Sequence, residues 1–201
     1  MEVINNIGLL MGSSWASGVN LYLTIASLGI MKRTGAIELP GNLDILSNIF
    51  IISIAILLFL IEFVADKIPA VDSAWDAIHT FIRPLGSGML GYMAMADMGP
   101  LAQLPVALIT GAIAADSHLT KATTRVAINT SPEPVTNSIA SLTEDGLVVG
   151  ALYLIAKHPV IASIAVILFI IFSIWFLKKM FAFLKKALRF LSGKKEDVKG
   201  G

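Results

Sequence analysis

From Val160 to Leu177 the chain runs without a charge, relieved only by Ser163 and Ser173, and stops at Lys178-Lys179. A helix rises ~1.5 Å per residue, so this stretch is about as long as the hydrocarbon core of a bilayer is thick. A second apolar run, Leu46 to Ala65, carries Glu62 in its last turn and leaves through Asp66-Lys67 and Pro69. Four weaker runs cover Val19–Met31, Leu85–Met98, Leu101–Ala115 and Asn137–Ala156. Together they predict an all-α, polytopic transmembrane bundle of about six spans, the short ones tilted or set in locally thinned lipid.

Composition agrees. The 201 residues are 56% hydrophobic and only 14% charged, against roughly a quarter charged in soluble domains. That excludes a soluble enzyme or a nucleic-acid binder. The formal charge of +1 hides a basic tail. Residues 1–178 read as the membrane domain, and 179–201 as an amphipathic cytoplasmic tail lying on anionic lipid headgroups. The chain has no cysteine, so thiolate metal sites, disulfides and cysteine nucleophiles are excluded. The first residues lack a basic n-region, so no removable signal is expected. With Lys67, Arg83, Lys121 and Arg125 counted on the same side as the tail, both termini are expected in the cytoplasm, the protein being a multi-pass component of a bacterial inner membrane. Lys32-Arg33 then fall outside, against the rule.

Two segments are too polar to cross lipid alone, Val71–Arg83 and Ser117–Glu133. In the first, Ala74, Trp75, Ile78, Phe81 and Ile82 recur at helical spacing opposite Asp72, Asp76 and His79. Both segments are expected as short amphipathic or re-entrant helices at the inner face. An offset of 50 aligns Ala65-Asp66 with Ala115-Asp116, Ala77-Ile78 with Ala127-Ile128, Thr80 with Thr130 and Pro84 with Pro134. Ser17-Gly18 and Tyr22 match Ser87-Gly88 and Tyr92. An internal repeat is therefore expected, with units at about 17–84 and 87–134 and two closing spans; the copies are parallel if the short helix does not cross and inverted if it does.

The strings Glu62-Phe-Val-Ala-Asp66-Lys67-Ile68-Pro69-Ala70-Val71-Asp72, Thr80-Phe81-Ile82-Arg83-Pro84, Asn129-Thr130-Ser131-Pro132-Glu133-Pro134 and Ser141-Leu142-Thr143-Glu144-Asp145 resemble the bacterial membrane proteins grouped as domain of unknown function 4126. The resemblance covers about three quarters of the chain. It implies a multi-span inner-membrane protein and no particular activity. Members of that family often have an arginine where this sequence places Asn20.

The candidate ion or solute path is acidic: Glu144, Asp145, Glu62, Asp66 and Asp116. A carboxylate at the centre of a span costs about 2.5–3.5 kcal/mol on insertion scales, so the Glu144-Asp145 pair demands a partner, a proton or water. Glu62 and Asp66 share a helical face at i and i+4 and need a cation, a proton or a basic neighbour between them. Asp116 is the repeat mate of Asp66. Lys121 and Arg125, also i and i+4, are candidate salt-bridge partners, a gate or an anion site, with Asn129 and Asn137 at a polar break that could bind an anion. The simpler reading of each is a solvated helix end, an N-cap or a structural ion pair. His79, His118 and His158 lack metal-pair spacing, and no catalytic, cofactor or metal motif is present.

Three functions fit: a small transporter or channel for an ion or polar solute; a lipid-handling protein or enzyme using Asp72, Asp76, His79 and Arg125 on a headgroup; and a non-catalytic scaffold. A vestibule reaching Glu144 favours the first, a lateral opening beside His79 the second, a fully paired interior the third. Gly86, Gly88, Gly91, Gly146 and Gly150 allow close packing within the chain or in a homo-oligomer.

Overall fold

A computed structural model describes residues 2–129 and 134–199. The helices are α1 (Glu2–Val19), α2 (Leu21–Arg33), α3 (Ile49–Ala65), α4 (Pro69–Ala94), α5 (Pro100–Asn129), α6 (Pro134–Lys157) and α7 (Pro159–Lys199), with short 3₁₀ segments at Gly41–Ser47 and Ala96–Met98. Prolines at the first position of α4, α5, α6 and α7 set the breaks, because proline lacks the N–H that the first turn leaves unpaired anyway. Asn20 and Asn48 cap α2 and α3, accepting from Leu23 N and Phe50 N, each at 2.9 Å.

Packing fixes the directions. Gly8 lies against Pro159, Gly12 against Ile155 and Ala162, and the Trp15 ring meets Phe169 edge-on. So α1 is antiparallel to α6 and parallel to α7. By contrast Ser27 and Met31 of α2 share a surface cleft with Val149, Ala156 and Lys157, and Gly29 abuts Ile52, so α2 runs back alongside α6 and against α3. The two arms thus form a hairpin with Asn20 at its tip. Its outer ends, Asn5-Asn6 and Ala36–Pro40, meet Lys157 and Pro159 around one cleft; this is termed the upper end. From there α3, α5 and α7 descend, and α4 and α6 rise.

Two helices are long and apolar enough to cross a membrane among the described residues, Val135–Lys157 and Pro159–Phe183; a third is added if Gly41–Ser47 and Ile49–Ala65, which meet at 71°, form one broken span. Exposure elsewhere is inverted relative to a soluble protein. Phe81, Leu85, Leu101 and Leu108 are 72%, 69%, 95% and 75% exposed, while Arg83 and Arg125 are 0% and 1%. Charged residues are almost never fully buried in water-soluble folds unless paired.

Several expectations need correcting. Val71–Arg83 and Ser117–Asn129 are not separate short helices but parts of α4 and α5, which run through because only Pro84 interrupts α4 and nothing interrupts α5 after Pro105. Val19–Met31 is not an independent span; its helix is the second arm of the hairpin. The first arm escaped notice because Asn5, Asn6, Gly8, Gly12, Ser13, Ser14 and Ser17 dilute its apolar signal. The hairpin returns to the upper end, so the start of α1 and the far end of α7 lie at opposite ends of the bundle. The residues matched at the offset of 50 take unlike positions: Ala65-Asp66 ends α3, while Ala115-Asp116 lies inside α5. The tail's amphipathic face falls largely outside the described side chains, although its backbone continues α7.

A buried ionic network at the hairpin tip

The break at Asn20 creates the site. Its extended backbone (φ −149°, ψ 100°) stops α1 one residue before α2 begins, leaving the last carbonyls of α1 without intrahelical donors. Two cations take them: Arg83 Nη1 donates to Gly18 O at 3.1 Å and Lys121 Nζ to Val19 O at 3.3 Å. Positive charge at a helix C-terminus also answers the negative end of its dipole.

Around these cations α3, α4, α5 and α6 bring carboxylates. Glu62 Oε1 accepts from Arg83 Nη2 at 2.6 Å and lies 3.5 Å from Lys121 Nζ. Asp66 Oδ2 is 3.2 Å from Lys121 and 3.3 Å from Arg125. Arg125 grips Glu144 with two nitrogens, Nε to Oε1 at 2.9 Å and Nη2 to Oε2 at 2.8 Å, the bidentate geometry that makes arginine–carboxylate pairs strong. Its third nitrogen, Nη1, donates to Asn137 O at 3.1 Å. Lys121 also lies 3.4 Å from Glu144.

Three more acids lie further from charge. Asp76 Oδ1 is 3.6 Å from Arg83 and Asp72 Oδ1 is 4.0 Å from Arg125. Asp145 Oδ1 accepts from Asn20 Nδ2 at 3.1 Å, and no ion pair includes it among the described residues. Six carboxylates therefore surround three cations. Among the described residues both Asp76 carboxyl oxygens, Asp145 Oδ2, Ser17 Oγ, Ser141 Oγ and both Asn137 side-chain polar atoms have no hydrogen-bond partner. Asn137, Ser141 and Asp145 follow at i, i+4 and i+8, one stripe of α6.

Both interior histidines are committed. Arg83 Nη1 meets His118 Nδ1 at 2.7 Å, so Nδ1 is the acceptor and Nε2–H faces Asp76 O at 3.1 Å. His79 Nδ1–H faces Trp75 O at 2.8 Å, and its Nε2 shares a hydrogen bond with Tyr22 OH at 3.0 Å. With an arginine as its donor, the His118 ring is held as the neutral tautomer. Outside the helices' membrane-depth portions, Lys67 donates to Phe63 O at 2.7 Å and lies over that ring, and burial lowers its pKa against the pull of Asp145 and Asp66. At the upper end Lys32 pairs with Glu38 and Asp44, which raise its pKa.

Of the sequence-derived path, Glu62, Asp66, Glu144 and Asp145 come together, with Lys121 and Arg125 among them. Asp116 does not join: it accepts from Ser173 of α7 at 2.6 Å, because its position on α5 points away from the tip. The Asn129 amide donates to Asp72 at 2.8 Å and lies near Ser73 and Pro69 O. The Asn137 carbonyl serves Arg125, and residues 130–133 of the polar break lie outside the described residues. Asp72, Asp76 and His79 turn into the bundle rather than toward a headgroup. Asn20, Arg83 and His118 were missed as site residues; the only hint for Arg83 was a fixed positive charge four residues after His79.

A sequence-family profile described as a domain of unknown function (DUF4126) matches residues 7–179. No curated protein and no solved structure matches the chain.

Proposed function

We propose, from the premise that the chain belongs to the family described as a domain of unknown function (DUF4126), that it is a small membrane transporter or channel for an ion or polar solute. The observation that carries this reading is the broken hairpin whose tip delivers bare backbone carbonyls to buried cations amid excess acid. Discontinuous helices ending in a polar site near mid-membrane are how secondary transporters bind ions and solutes, and irregular backbone at membrane depth is tolerated where it is packed in protein or lines a cavity. Glu144 and Asp145 lie about 15 Å from the start of α6 at 1.5 Å per residue, near its middle. The Glu144 side chain keeps 16% exposure where Lys121 keeps 3%, consistent with an opening onto Glu144. The unpartnered Ser17, Asn137, Ser141 and Asp145 atoms do not fit the dry, fully paired interior of a scaffold.

In this reading α4 and α5 cross the membrane as well, their apolar faces toward lipid and their polar faces inward, so that five helices cross beside a re-entrant hairpin. Lys67, Lys178 and Lys179 mark the lower end as cytoplasmic. Lys32 at the other end pairs with Glu38 and Asp44, while Arg33 and Lys157 at that end stand against the rule. The upper end, with the start of α1, then faces outward across a bacterial inner membrane. A lipid-handling role keeps one support: an apolar cleft of about 540 Å³ between α1, α6 and α7, lined by Trp15, Gly146 and Phe169. It does not lie beside His79, and the headgroup candidates are buried.

The test is flux in sealed proteoliposomes across a panel of ions and small polar solutes, for the wild type and Glu144→Gln. Transport predicts flux in the wild type that falls at least tenfold in folded Glu144→Gln. Absence of flux across the panel from demonstrably folded wild-type protein removes the reading.

A further inference from the structure

We infer that Asp145 is a proton-exchange site, so that the ion handled at the hairpin tip is H⁺. The inference deepens the transport reading and rests on it for its physiological role, though not for its chemistry. Glu62, Asp66 and Glu144 each have a cationic nitrogen within 3.3 Å. Asp145 has none, yet it stands at the middle of α6 beside the tip. An ionised carboxylate there has no cation in ion-pair contact among the described residues, and desolvating it without one is costly, whereas the protonated acid costs far less.

The chemistry of its surroundings selects the proton. Asn20 Oδ1 is occupied by Leu23 N–H, which turns the Asn20 amide nitrogen toward Asp145 Oδ1. The group facing Oδ1 is an N–H donor, which suits a carbonyl or carboxylate oxygen and does not ligate a cation. The other oxygen, Oδ2, is buried and unpartnered among the described residues, free to carry the hydrogen. The carbonyls that could ligate a metal at the tip, Gly18 O and Val19 O, are already held by Arg83 and Lys121.

The charged groups acting on Asp145 are Lys121 of α5, Asp66 and Glu62 of α3, and Lys67 just after α3. Its chain neighbour Glu144 is held by Arg125, and Tyr22 of α2 is bound to His79. Protonation forms an O–H bond with a proton taken from water on one side; release returns that proton to water on the other and leaves a carboxylate. The negative charge then competes with Val19 O for Lys121, the flexible cation at the tip. Adding or removing one proton thereby loosens or restores the hold on the α1–α2 break. That is a means of coupling proton occupancy to movement of the hairpin.

The experiment is infrared difference spectroscopy on the full chain in lipid vesicles, wild type against Asp145→Asn, as pH is raised. The wild type should show a protonated-carboxyl C=O band at mildly acidic pH that is missing from the variant and fades as the pH is raised through neutrality. If the two spectra share the same band, Asp145 is not protonated and the proposal fails. Should Asp145→Asn not fold, Asp145→Glu must shift the band, and an unshifted band has the same meaning as a shared one. Loss of the band in Asp145→Asn without flux in proteoliposomes would sustain the proton site while removing transport; flux with a shared band would do the reverse.

Discussion

The upper and lower halves of the bundle are held by different forces. Above the tip, Leu28, Leu39, Leu43, Leu46 and Leu90 form a buried apolar cluster with Leu152 and Ile155, and glycines permit close approach: a Cβ on Gly41 would meet the carbonyls of Met93 and Ala94 within 2.7 Å. At and below the tip the interior is salt bridges and hydrogen bonds. Where the outer face of a bundle meets lipid, burying a leucine gains little over leaving it in lipid, so the upper half is held mainly by close packing. The lower half is held because its charged groups have nowhere else to go. One half resists change through shape, the other through the cost of an unpaired charge.

The largest expected effect comes from taking a cation out of the lower half. Arg125→Ala leaves Glu144 to Lys121, 3.4 Å away, and weakens the hold on Asp66 and the Asn137 carbonyl, and breaking a buried pair this way costs about 3–5 kcal/mol. Denaturant unfolding in mild detergent measures it. The double change Arg125→Met with Glu144→Met should recover part of the loss, since it removes the cation together with the acid it grips and leaves Asp66 to Lys121. A cost below about 1 kcal/mol, the range of solvated pairs, would show that water reaches the network and erase the contrast.

Next in size is a change of shape where the two halves meet. A Cβ on Gly18 would fall 1.8 Å from Ser117 Oγ and 2.2 Å from the Ala114 carbonyl oxygen. The backbone atom cannot swing aside, so Gly18→Ala forces α1 away from α5. Overpacking of this kind costs about 1–3 kcal/mol, and the same displacement lifts Gly18 O from Arg83. Thermal unfolding should register the loss. An unchanged midpoint would mean that α1 slides on α5 freely and that the tip is not fixed by this contact.

The upper half was the less legible in sequence and the lower half the more misleading. Glu144-Asp145 stood out because an apolar run cannot ignore two acids, and Lys121 and Arg125 were rightly linked to them by charge. Amphipathic spacing separated Asp72, Asp76 and His79 from Ile78 and Phe81 correctly, but spacing says only that two faces differ, not which is inside. In water the apolar face is buried; here Phe81 is exposed and Asp72 is buried, and the expected surface helix became an interior wall. Asn20 was passed over because a helix break is usually read from proline or glycine. Here it is made by an asparagine whose side chain caps the next helix, and the cations that complete it lie more than sixty residues away.

The smallest expected effect concerns the outer surface of α6, next to the proposed proton site. A Cβ on Gly146 would have nothing within 4 Å, and the residue lines the apolar cleft shared with Trp15 and Phe169. With no contact to disturb, Gly146→Ala should change stability only through helix propensity, a gain of up to about 1 kcal/mol. Gly18 and Gly146 thus form a pair in which the same added methyl group has opposite signs, set by what it meets. Thermal unfolding in vesicles, with the same measurement in detergent, reads the second sign. A gain in both media fits a cleft filled by mobile lipid or detergent. A loss in vesicles alone would mean that in the membrane Gly146 meets something shaped to it, and a second copy of the chain would then have to be sought by cross-linking across that cleft.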